Sequence, residues 1–143
     1  MPSVLRSDPA RYEGVRPIHI YLLRTLFVLI FLFVGYDSWS YLLKHEGAWD
    51  PMKAAAWSMF AAYSLLSLLG VFRPLKMLPI VLFVVAYKSI WLLFVAWPLW
   101  RAGTLAGSPA EGMAKIFMWV PLAILFVPWK YVLDTYVLRR RKT

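Results

Sequence analysis

One lysine stands inside an otherwise apolar run, "VLFVVAYKSIWLLFVAW", over residues 81–97. An ammonium in such a setting has three chemical uses. It can close an ion pair that locks one helix against another. It can hold an anionic or carbonyl-bearing ligand, since charges inside a membrane often mark substrate or proton pathways. It can act as a Schiff-base nucleophile, a role that needs an acid–base set around it. No such set accompanies Lys88, which leaves covalent catalysis the least supported use, and no catalytic residue is assigned.

Few other groups share its depth. At 1.5 Å per residue, Lys88 lies about 15 Å along its helix, near the centre of a bilayer. Asp37 rises about 18 Å from Thr25, which would make it the counter-ion; counted from Tyr21 it sits in the outer third instead. Tyr63, Ser64 and Ser67 in the second apolar run, and Ser89 beside the lysine, complete a candidate polar layer, either ligand-binding or structural. The carbonyl of Ile124, freed by Pro128, is a further candidate.

Other chemistries find less. His19 and His45 flank the first apolar run at opposite ends, about a membrane thickness apart, so one chain cannot place both on one metal. Each reads as an interfacial polar residue. Glu46, Asp50 and Glu111 in the outer connections stand beside Lys44, Lys53 and Arg101 and read as solvated charge, so no metal site is expected. The absence of cysteine excludes a thiolate nucleophile, a disulfide framework and Cys-ligated zinc or iron–sulfur centres. Nothing specifies a cofactor.

The elements that must carry these groups follow from composition. With 62% hydrophobic residues, the 143-residue chain is of the polytopic membrane class. Four runs, residues 21–43, 54–72, 78–100 and 114–136, reach the roughly 20 residues that a hydrocarbon core of about 30 Å requires of a helix. The first lacks a small-residue cleavage site, so it is expected to be a retained span rather than a signal peptide. The connections "HEGAWDPMK", "RPLKM" and "RAGTLAGSPAEGM" are short, making residues 1–143 one domain. The expected fold is an all-α membrane protein, four transmembrane helices in an antiparallel up-and-down bundle.

The net charge of +9 is distributed in a way that reports orientation. Arg6, Arg11, Arg16, Arg24, Arg73, Lys76, Lys130, Arg139, Arg140, Arg141 and Lys142 collect on one side; Lys44, Lys53, Arg101 and Lys115 collect on the other. The positive-inside rule then puts both termini in the cytoplasm. Trp39, Trp49, Trp97 and Trp100 suit the outer interface, and Tyr21, Trp129, Tyr131 and Tyr136 the inner one. Arg139, Arg140, Arg141 and Lys142 would anchor this topology and contact anionic lipid, at about 1 kcal/mol per charge. The charge is not laid out as a nucleic-acid surface.

In the second run, Ala54, Ser58, Ala62 and Gly70 form a small-residue stripe of the kind that lets membrane helices approach closely. In the fourth, Pro121 and Pro128 should each break a backbone bond, freeing the carbonyls of Phe117 and Ile124.

The four short-linked spans, the arginine entering the first helix at "LLRTLFVLIFLFVGYDSW", and the long first outer loop resemble small bacterial inner-membrane proteins of the DoxX-like type, over the first three spans. That resemblance implies a bacterial inner membrane and, as in some of its members, quinone-linked oxidation. The stretch "RPLKMLPIVLFVVAYKSIWLLFVAWPLW" also resembles bacterial membrane proteins of unknown function. The expected role is an accessory or ligand-binding membrane subunit with a site centred on Lys88, partnered by the bilayer and by a second copy or another membrane protein. A transporter or channel subunit working as an oligomer, or a quinone-linked enzyme subunit, are the alternatives.

Overall fold

The computed structural model describes residues 12–138. Arg6 and Arg11 of the basic arm, and the expected lipid contacts Arg139, Arg140, Arg141 and Lys142, lie outside the described residues. The described chain is helical throughout, without strands. Three helices are long and apolar enough to cross a membrane: α1 (Pro17–Lys44), α2 (Pro51–Phe72) and α3 (Leu78–Arg101). The fourth expected span is instead a bent pair, α4 (Glu111–Phe126) and α5 (Trp129–Val137), meeting at 76°.

Local chemistry accounts for these boundaries. Pro17 and Pro51 occupy the first turns of their helices, where a missing N–H costs nothing. Asp50 caps α2, its Oδ1 accepting from the N–H groups of Met52 at 2.9 Å and Lys53 at 3.1 Å. α2 ends at Arg73 because Pro74 follows, which pushes the preceding residue out of helical dihedrals. The same rule bends the fourth segment: Val127, ahead of Pro128, is extended at φ −72°, ψ 128°. Pro121 is accommodated differently, by a break at Met118 and Trp119 that places it in the first turn of a new helical stretch.

The expected span over 114–136 is thus broken at Pro128, one of the two prolines expected to disrupt it, and the chain turns after Phe126.

α1 packs along α2, while α3 packs mainly on α4. Leu23 and Phe27 of α1 meet Leu78, Val81 and Val85 of α3, Val120 of α4 and Val127 at the break after it in the main core. A smaller cluster joins Ile30, Tyr63 and Val84. Large apolar side chains also point outward, among them Phe33 (67% exposed), Phe94 (77%) and Leu125 (71%). Such surfaces suit lipid, since soluble monomers rarely expose large contiguous apolar area.

The close contact between α1 and α2 uses only part of the expected stripe. Ala61, Ser64, Ser67 and Gly70 are buried, whereas Ser58 and Ala62 are exposed and Ala54 is half-buried. Gly70 belongs to the seam because a Cβ there would come within 2.5 Å of the Phe27 ring. Gly35 on α1 faces Ser64 in the same way, its would-be Cβ 3.4 Å from the serine Oγ. The expected ridge thus fails to form the intrachain contact at Ser58 and Ala62. The reason is the position of Phe27, which needs the gap at Gly70 and sets the rotation of α2.

Candidate functional site

The polar residues expected at mid-depth separate into two groups. Ser64 and Ser67 are buried at the α1–α2 seam, and each hydroxyl donates to its own helix: Ser64 to the Ala61 carbonyl at 2.7 Å, Ser67 to the Tyr63 carbonyl at 2.8 Å. Ser38, which sequence reasoning passed over, does the same from α1, donating to Val34 at 2.5 Å. These groups are satisfied within the chain, so their burial carries little cost. They hold the seam and do not face Lys88 with free donors.

Lys88 sits elsewhere, among rings. Its Nζ stands 5.0 Å from the centroid of Phe117, a cation–π distance. Phe117 meets Tyr87 edge-on at 5.7 Å and Trp91 at 5.1 Å, so one aromatic side chain from α4 is wedged against Tyr87, Lys88 and Trp91 of α3. Tyr87 also shares a hydrogen bond with Tyr63, hydroxyl to hydroxyl at 3.0 Å, the polar link between α2 and α3. Phe60 and Phe83 pack on this tyrosine pair. The rings continue outward through Trp57, stacked on Tyr41 at 4.5 Å.

Asp37 is not brought to the lysine. It is exposed on α1, and among the described residues the ion pair present is Glu111 with Lys115, at 2.7 Å. Lys88 has neither a hydrogen-bond acceptor nor a carboxylate among the described residues, and Ser89 beside it is half-buried with its hydroxyl unengaged there. The Ile124 carbonyl does not join the layer either. It accepts the indole Nε1–H of Trp129 at 2.9 Å and is spent at the helix break.

No family model matches the chain, and neither a curated protein nor a solved structure matches it. The pattern shared with DoxX-like proteins is therefore not carried by any family match, and the site stands on its own geometry.

The helix break forms a second polar region. The ring Nδ1 of His19 lies 3.1 Å from the Phe126 carbonyl, a hydrogen bond across the fold that supplies a donor to the last residue of α4, where the helix breaks. Tyr131 donates to the Glu13 carboxylate at 2.9 Å. Between these groups opens a cleft of about 970 Å³, lined by Arg16, Lys130 and Asp134 among others. Sequence reasoning treated His19 as a lone interfacial residue. The available signal was Pro128 followed by a tryptophan, a free carbonyl with a donor one residue beyond the proline.

Two of the three carboxylates in the connections are engaged: Asp50 caps α2, and Glu111 binds Lys115 and the Gly107 N–H at 2.7 Å. No group of three or more metal-ligating side chains occurs among the described residues. His45 lies against Trp49, ring centroids 3.8 Å apart.

Proposed function

We propose that this chain is a four-span protein of a bacterial inner membrane, arranged up and down with both termini cytoplasmic, and that it works as a ligand-binding or accessory subunit through Lys88. The basic residues flanking the spans support the orientation. In this reading α4 completes the fourth crossing, and α5 turns away along the cytoplasmic face.

One observation carries the functional part: Lys88 has no acceptor or counter-ion among the described residues. A charged lysine at mid-membrane costs at least about 2.5 kcal/mol. A cation–π contact returns about 0.5–2 kcal/mol, the upper figure only when desolvated. Phe117 therefore leaves part of the cost uncovered, and an acidic or carbonyl oxygen from outside the chain would cover it. The flanking rings of Trp91 and Phe117 favour an amphiphilic donor of that oxygen, arriving through the lipid. The exposed small residues Ser58 and Ala62 support an additional role for α2 as a contact for a second copy or a partner span.

The test is native mass spectrometry of protein extracted gently with its bound molecules, wild type beside Lys88→Met. The expected result is an acid- or carbonyl-bearing molecule, or a partner chain, present with wild type and absent from the variant while both remain folded. An identical complement on the two proteins would sink the assignment.

A further inference from the structure

A second cation is also without an acceptor among the described residues, and it lies on α1 rather than on α3. Arg24 is seven residues inside α1, about 10 Å from its start. Its Nε is sealed from solvent and has no hydrogen-bond partner. No carboxylate among the described residues pairs with its guanidinium. Buried donors are almost always satisfied, so an orphan on a permanently charged group calls for an acceptor.

Arg24 opens onto a pocket of about 300 Å³ that it shares with Arg73 and Lys76 from the α2–α3 connection. Glu13 is the carboxylate on its rim, and that group already accepts from Tyr131. Three cations thus face one engaged carboxylate. The remaining wall includes Ile20, Phe72 and Leu75, and Phe72 is 71% exposed. This combination selects a ligand. Guanidinium forks match the oxygens of a phosphate, and a lysine adds a point charge. The apolar wall at a span end is useless to a free phosphate but suits the glycerol and upper acyl chain of a lipid.

We infer that Arg24, Arg73 and Lys76 form a cradle for the phosphate of an anionic glycerophospholipid at the end of the spans where α1 begins. The site is distinct from the basic tail, which lies outside the described residues, and it does not depend on the role of Lys88. Phosphatidylcholine is disfavoured because its choline would bring a further cation to the three already present.

The experiment uses full-length protein in detergent, titrated with phosphatidylglycerol or phosphatidylcholine and read by native mass spectrometry. Wild type should retain phosphatidylglycerol over phosphatidylcholine. Arg24→Gln and Arg73→Gln should each weaken phosphatidylglycerol binding about fivefold, the share of one cation near a membrane surface. Arg73 is exposed at the end of α2, so its variant reports on binding even if Arg24→Gln folds poorly. Lys130→Gln, at the same end but lining the other cleft, should leave binding unchanged. Equal retention of both lipids by wild type, or an equal loss in Lys130→Gln, overturns the cradle in favour of a diffuse field. Displacement of the lipid by millimolar inorganic phosphate overturns the lipid as the source of the phosphate.

Discussion

The seam between α1 and α2 and the ring-lined face of α3 are both polar places in an apolar protein, yet they are built on opposite terms. At the seam, Ser38, Ser64 and Ser67 are 0–1% exposed and each hydroxyl is closed onto a carbonyl of its own helix. On α3, Lys88 brings a full charge to the same apolar setting and meets only the face of Phe117 among the described residues. Polar groups that the chain satisfies by itself are architecture. A cation without an acceptor among the described residues is what the proposed outside partner rests on. Arg24 belongs with Lys88 in this contrast, and the two lie on different helices, α1 and α3.

The contrast is broken most severely by removing the space on which the seam depends. Gly70→Leu would drive side-chain atoms into the buried Phe27 ring, which already lies where a Cβ would be. Overpacking of this kind costs about 1–3 kcal/mol and occasionally more. Thermal denaturation in detergent should show a clear loss for Gly70→Leu, and an unchanged midpoint would mean that α1 and α2 do not meet as described.

A smaller effect is expected where α2 meets α3. Tyr63→Phe and Tyr87→Phe each remove one side of a single hydroxyl–hydroxyl bond. Each change should cost about 1 kcal/mol, and the double variant should cost little more than either, because both delete the same bond. Strictly additive losses would show that the two hydroxyls have separate partners.

Much of the fold was legible in the sequence because length and apolarity identify spans directly. Residues 54–72 and 78–100 fall within α2 and α3, and 21–43 within α1. In the fourth segment Pro128 was expected to break a backbone bond, but a proline alone does not say how far the helix will turn. Here the Trp129 indole serves the Ile124 carbonyl that Pro128 frees, and His19, more than a hundred residues earlier, serves the Phe126 carbonyl beside the break. The packing stripe was ambiguous for a related reason. Ala54, Ser58 and Ala62 are as small as Ala61, Ser64 and Ser67, and the choice was made by Phe27 on another helix. Lys88 was found from its type and setting alone, whereas Phe117, its ring contact, comes from α4 and has no signature in sequence. The pairing of Lys88 with Asp37 was suggested by depth along separate helices, a measure blind to which way each face points.

Lys88 has no acceptor or counter-ion among the described residues, and the stability of Lys88→Met tests most directly whether it is unpaired. If it is unpaired, thermal denaturation in detergent should give a midpoint for Lys88→Met equal to or above that of wild type, since a costly charge is exchanged for an apolar side chain of similar length. Breaking a buried ion pair by removing one partner costs about 3–5 kcal/mol. A fall of that size in Lys88→Met, recovered by adding Asp37→Asn, would show the lysine locked inside the fold and contradict the account.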